Sequence, residues 1–479
     1  MMRLLGGLAL GAACSGLAPW AAVVRAGDEP PAPAQAVPSA PLAPPPESAE
    51  ADSPDHHFQL SWSDGLLAET ADHDFRIHIG GRFDFDSGWY SAPANIQNNL
   101  ASPLLDGTDF RRFRLGADGI IYQQVVFAIE ADFSKASDVK PTTTGPVTNI
   151  FITNAWVAVH DLPILDIVRV GHQKEYLTFS NATSSKFLPF LERPYLYDAY
   201  ENDFAFDSGI TTNRTYFDQH MTTWVGVFWN GTQSEAFNVA GGAAVSGRVT
   251  WMPVYDEPGQ RWLNFGVSGS ARSIRENPEV VTVRPLVRTG QASQTPDLIN
   301  TGTINGQDGL YLLGAGVHGA WGPWTVGGEF LSRFTPHAFL GGLPNSDGTL
   351  PPGAVAAGDL FFWGAYAEVL YFLTPGDHQP VVRDIPGYGR VRPVRDFFCS
   401  RKCQRGPGAW EVGLRYDYVN VNSGPVQAGQ LHSVTAGLNW YLNPNARIAA
   451  NYVYTFRDTG VPVGTGSFSA LGVRLHFDF

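Results

Sequence analysis

The sequence predicts an all-β fold, a closed antiparallel transmembrane β-barrel of about sixteen strands. Three observations predict it. Apolar and polar residues alternate in segment after segment from Phe75 to the chain's end. The polar face of those segments carries ionised residues of both signs, which a dry core does not hold. Short turns alternate with long Gly/Pro/Asn-rich loops, as on the two rims of a membrane barrel.

The last nine residues, LGVRLHFDF, state the pattern most plainly. Leu471, Val473, Leu475, Phe477 and Phe479 alternate with Gly472, Arg474, His476 and Asp478. A period of two puts the first set on one face of a strand and the second on the other. Lipid on one side and water on the other fit that division.

Composition agrees. Charged residues are 16% of the 479, against about 25% in soluble domains. A net charge of −13 argues against nucleic acid as a partner. Mean hydropathy is slightly negative, which excludes a bundle of membrane helices. No stretch reaches the roughly 18 apolar residues of a spanning helix; Phe361 to Leu373 is too short and contains Glu368.

Residues 1–26 read as a cleaved secretory signal, with Arg3, an apolar run from Leu4 to Val24, and small residues Val24 and Ala26 at the cleavage positions. Cys14 falls inside it. Residues 27–61 read as a Pro/Ala-rich disordered linker and 62–479 as the barrel domain. After processing only Cys399 and Cys403 remain. They could close a small disulfide ring in an oxidising compartment, and without paired histidines they do not suggest zinc.

In FRIHIGGRFDFD, Phe75, Ile77, Ile79, Phe83 and Phe85 oppose Arg76, His78, Arg82, Asp84 and Asp86. In FRRFRLGADG, Phe113, Leu115 and Ala117 oppose Arg112, Arg114 and Asp118. In VVFAIEADF, Glu130 and Asp132 fall on the polar face, where antiparallel pairing sets them near Arg112 and Arg114. LNFGVSGSAR and WEVGLRYDY repeat the pattern, the latter with Glu411, Arg415 and Asp417 on its polar face. Further strands are expected near 150–160, 165–172, 203–212, 220–230, 242–252, 309–320, 323–334, 359–373, 431–442 and 446–457. Segments of roughly ten residues suit a tilted crossing. Turns at Gly322-Pro323 and Asn443-Pro444-Asn445 contrast with long loops at 274–308 and 335–358. Trp321, Trp324, Trp440 and Tyr441 stand at strand ends, where an aromatic girdle belongs.

Several pieces, in order, resemble the phosphate-selective porins of the O and P type: DGLLAETADHDFRIHIGGRFDFD, FRRFRLG, IVRVGHQKEY with SSKFLPFLERP, and GAWEVGLRYDY with GLNWYLNPNARIAANYVY and the terminal strand. The resemblance implies a sixteen-stranded barrel in the bacterial outer membrane, a homotrimer, and a third loop folded inward as a constriction. Residues 172–200 match that loop. It also implies that Arg82, Arg111, Arg112, Lys186, Arg248, Arg272 and Arg392 are pore-lining, anion-binding bases. Alternation independently puts Arg82, Arg112, Arg114, Arg248 and Arg272 on the lumen face. Arg111 needs a bulge or a strand-end position to point inward beside Arg112. Lys186 and Arg392 lie in loops, where periodicity is silent. A second outcome for each arginine is pairing with lumen acids such as Asp84, Glu130, Asp132 and Asp417.

The chain also departs from phosphate-selective relatives. The 335–358 loop has no lysine, and an acidic position near the phosphate site falls at Thr153 or Asn154. The expected function is therefore passive diffusion of small hydrophilic solutes, general or weakly anion-preferring. No enzyme activity and no cofactor is implied, since no nucleophile elbow, P-loop or metal-binding His spacing occurs. Expected partners are outer-membrane lipid, lipopolysaccharide phosphates at the basic run 390–405, small anionic solutes, and the barrel-assembly machinery through Phe479. The competing function is a non-conducting structural or adhesive barrel tethered by the Pro-rich arm.

Overall fold

The computed structural model describes residues 57–134, 150–229, 242–256, 259–273, 278–290, 295–345, 347–398 and 404–479. Sixteen strands form one closed antiparallel barrel. In chain order they are β1 (Phe75–Ser91), β2 (Gly107–Ile121), β3 (Val125–Asp132), β4 (Phe151–Leu162), β5 (Asp166–Lys174), β6 (Phe206–Tyr216), β7 (Met221–Trp229) and β8 (Ala243–Asp256). The second half is β9 (Arg261–Arg272), β10 (Leu310–Trp321), β11 (Trp324–Leu340), β12 (Val355–Phe372), β13 (Ala409–Ser423), β14 (Val426–Asn443), β15 (Ala446–Asp458) and β16 (Gly466–Asp478). Each pairs with the next, and β16 closes onto β1 from Ser469 opposite Ser91 to Asp478 opposite Arg82. Closure gives every barrel strand two bonded neighbours, which lipid requires.

The faces divide as alternation predicts. In β16, Arg474 and Asp478 are wholly buried, while Leu471, Leu475 and Phe477 are 43%, 49% and 48% exposed. In β13, Glu411, Arg415 and Asp417 are buried while Leu414 and Tyr416 are exposed. In β9, Asn264, Ser268, Ser270 and Arg272 turn inward and Phe265 and Val267 outward. Trp321 and Trp324 flank a two-residue turn and are exposed, as a girdle requires. Gly322 opens that turn at φ +57°, a region that side-chain-bearing residues avoid.

Four expectations need correction. Strands run from 8 residues in β3 to 18 in β12 and β14, because hairpins stay bonded beyond the membrane band. The loop expected at 335–358 shrinks accordingly, with Leu340 paired to Val355. Tyr441 is no girdle residue: it is buried and donates its hydroxyl to Glu411 at 3.0 Å. Phe58–Trp62 lies inside the range expected to be linker, yet it is a strand paired with Leu66–Thr70, which pairs in turn with β1. The expected signal, most of the linker, and Cys399 and Cys403 lie outside the described residues.

The axis is not hollow throughout. Loop 175–205, after the fifth strand, carries the short helices Phe179–Ala182 and Tyr195–Tyr200 into the barrel. Loop 273–309, expected as an open rim loop, instead buries Leu286, Val287 and Leu298 beside Tyr195, Leu196 and Tyr200. The third insertion, 373–408, enters from the end that bears Gly322-Pro323. There Tyr388 N donates to Thr183 Oγ1 at 3.0 Å. These apolar segments core one another within a polar-faced barrel. Arg390 and Arg392, the first bases of the run at 390–405, therefore sit at the rim that bears Gly322-Pro323.

Candidate functional site

The inward loop is held on both flanks. Carbonyl oxygens of Leu188, Pro189, Leu191 and Glu192 accept hydrogen bonds from Arg447, Asn439, Arg474 and Arg415 at 2.7, 2.8, 2.8 and 3.0 Å. Those donors project from β13 through β16. Across the barrel, Glu329 of β11 accepts from the backbone N–H groups of Phe179 and Ser180 at 2.5 and 3.0 Å. At the loop's root Glu201 accepts from Leu177 N, Thr178 N and Asn181 Nδ2 at 3.1, 3.2 and 2.8 Å. Burial outweighs those donors and pushes the Glu201 carboxyl up to about 7. Hydrogen bonds to charged groups contribute about 1.5–3 kcal/mol each, so this is a fixed shelf rather than a swinging gate.

Between the shelf and β1 to β5 lies a cavity of about 490 Å³. Eight bases line it: Arg82, Arg111, Arg112, Arg114, Lys174, Lys186, Arg193 and Arg288. Four acids do so: Glu130, Asp132, Glu192 and Asp198. Among the described residues bases outnumber acids in this lining by four, and Asp84 and Asp478, which pair with Arg112 and Lys186, reduce the excess to two.

Most of these bases are paired. Arg82 and Arg114 share Glu130 at 3.1 and 3.0 Å, and Arg114 also reaches Asp132 at 2.6 Å. Arg112 meets Asp84 at 3.2 Å, Arg288 meets Asp198 at 2.9 Å, and Lys186 meets Asp478 at 3.3 Å. Burial lowers the Lys186 pKa, Asp478 opposing. Arg111 does sit in a bulge: Asp84 pairs with Arg112 and Phe85 with Phe110, which leaves Arg111 extra and aimed inward. It grips Glu192 through Nε and Nη2 at 2.7 and 2.9 Å. Burial pushes the Glu192 carboxyl up, but Arg111, Arg288 and Arg112 outweigh it and hold it well below the usual range. Thr153 occupies a second bulge and donates to Glu130 at 2.6 Å. An acid thus stands beside the position where the sequence has none.

Lys174 and Arg193 differ. Lys174 Nζ donates to the Asn181 carbonyl at 2.8 Å, and Arg193 donates to those of Ser180 and Thr183 at 3.0 and 2.7 Å. Among the described residues neither makes an ion pair. Both are thus held by the carbonyl oxygens of one turn of the shelf rather than by a carboxylate.

Five of the eight expected bases meet in this cavity: Arg82, Arg111, Arg112, Arg114 and Lys186. Arg248 and Arg272 face inward but lie behind the shelf. Arg248 donates to the Pro386 carbonyl at 3.3 Å. Arg272 clamps the shelf's root through Glu175 and Asp207 at 2.6 and 3.2 Å. Arg392 is not among the cavity's lining residues and pairs with Asp64 at 2.7 Å at the rim that bears Gly322-Pro323. Sequence reasoning missed Lys174, Arg193 and Arg288. Lys174 fell in the segment expected as the constriction loop, 172–200, where periodicity is silent; the strand in fact runs on to it, with the parity of the outward Val168 and Val170. The sheet forks at that point: Phe151–Asn154 pair with β3 alone, and Gln173 and Lys174 with β6 alone. The fork turns the nominally outer face of β5 and β6 onto the cavity.

Comparison with known proteins places the chain. The family described as Phosphate-selective porin O and P matches residues 77–479. The chain is 24% identical over 420 residues to Porin O of Pseudomonas aeruginosa, covering 81% of this chain and 85% of that protein. It is 24% identical over 470 residues to an uncharacterized protein of Caulobacter vibrioides, covering 94% and 82%. Among solved structures, an anion-selective porin from Comamonas acidovorans aligns with a TM-score of 0.48 at 12% identity, over 85% of this chain and all of that one. The chain belongs to the phosphate-selective porin O and P family and is an outer-membrane channel protein.

Proposed function

We propose that the barrel is a passive, anion-preferring pore whose solutes pass through the cavity between the shelf and β1 to β5. The observation that carries this reading is the pair of bases bonded to carbonyl oxygens rather than to a carboxylate, Lys174 and Arg193, within a wall where bases exceed acids by two once Asp84 and Asp478 are counted. Cationic charge behind low-dielectric walls concentrates anions and repels cations. The other bases are tied to carboxylates, which tempers attraction and lets solutes leave. Arg82, Arg111, Arg112, Arg114 and Lys186 are assigned to this wall; Arg272 holds the shelf's root and Arg248 the 373–408 insertion. The apolar outer band meets outer-membrane lipid, and the assembly is a homotrimer. Phe479 is bonded into the sheet through both backbone groups of Gly81, at 2.8 and 3.0 Å, which supports a terminal strand presented whole to the assembly machinery. Planar-bilayer recording tests the reading. Stepwise conductance should appear, and in a KCl gradient the reversal potential should lie toward that of chloride. A reversal toward potassium, or an insulating membrane, overturns it.

A further inference from the structure

The cavity is larger than an inorganic oxyanion needs, and its two carbonyl-bound bases each sit over an aromatic ring. Lys174 and Phe206 are cross-strand partners, with the ammonium 5.9 Å from the ring centroid. The Arg193 guanidinium lies 4.9 Å over Tyr197. All four line the cavity, as does Ile152 at the fork. Cavities of about 300–1,000 Å³ are the size that holds organic ligands, and this one measures about 490 Å³. We propose that it preferentially takes ring-bearing organic carboxylates, with the carboxylate on Lys174 and Arg193 and the planar ring against Phe206 and Tyr197. The assignment rests on the anion-pathway reading and adds the solute class. A bare oxyanion satisfies the cations and leaves the rings unused. An aromatic carboxylate satisfies both, and ring contacts of this kind are worth about tenfold in affinity.

Block of chloride current in planar bilayers tests this with benzoate, acetate and inorganic phosphate as probes. Benzoate should half-block at a concentration about tenfold below acetate and also below phosphate. Phe206→Leu should bring benzoate to the acetate value, and Lys174→Gln should weaken block by both. Equal block by benzoate and acetate, tighter block by phosphate, or an unchanged benzoate preference in Phe206→Leu overturns the proposal. The KCl reversal potential of the same membranes separates the two readings. Chloride preference with equal block removes only the solute class, whereas potassium preference removes the pathway beneath it.

Discussion

Replacing Arg474 with methionine should destabilise the folded barrel by about 3–5 kcal/mol. The side chain is wholly buried and grips both Asp86 carboxylate oxygens at 2.7 Å. It also donates to the Leu191 carbonyl at 2.8 Å and reaches Glu192 at 3.3 Å. One residue thus joins the closing strand, the opening strand and the shelf. Methionine fills similar volume but leaves Asp86 buried without its cation, and losing one partner of a buried pair costs far more than the pair itself contributes. Asp86→Asn added to the variant should restore part of the loss, because the orphaned charge goes. Urea titration in lipid vesicles, followed by tryptophan fluorescence, measures both. A loss under about 1 kcal/mol, or no recovery in the double variant, contradicts the assignment.

The second large effect is on selectivity. The double variant Lys174→Gln/Arg193→Gln should cut the chloride-over-potassium permeability ratio by about tenfold, the result of removing some 1–2 kcal/mol of attraction. Glutamine keeps a donor for the shelf carbonyls, so the loss reads charge rather than shape. Arg392→Gln is the informative contrast. Its base does not line the cavity and is paired with Asp64 at 2.7 Å, and the permeability ratio should stay put. The reverse ranking would return weight to the sequence-based list of bases and away from the cavity.

The barrel was legible because its physics is local. Each strand meets lipid on one side, so a period of two is enforced residue by residue, and β16 repeats in space what LGVRLHFDF says in letters. The bulge at Arg111 was legible as a condition, since two adjacent arginines cannot both face inward on a regular strand. The cavity's membership was not. Arg272 and Arg112 have the same parity signature, and only the packing of the inserted loops puts one behind the shelf and the other before it. Lys174 was missed because it fell in the segment expected as loop, and at the fork there the sheet abandons the alternation that a longer strand would have suggested. Arg193 and Arg288 stand in inserted loops whose paths are set by distant partners such as Ser180 and Asp198. Tyr441 misled because a tyrosine at a strand end suits a girdle and a buried carboxylate equally well.

On the proposed pathway ions traverse the space between the shelf and β1 to β5. Ser184 lines that space without an ionisable group. A Ser184→Cys variant, in a background lacking Cys399 and Cys403, should lose most of its current when treated with a negatively charged methanethiosulfonate reagent. The parent background should be unaffected. Undiminished current through the fully modified Ser184→Cys variant would mean that ions take another route through the barrel.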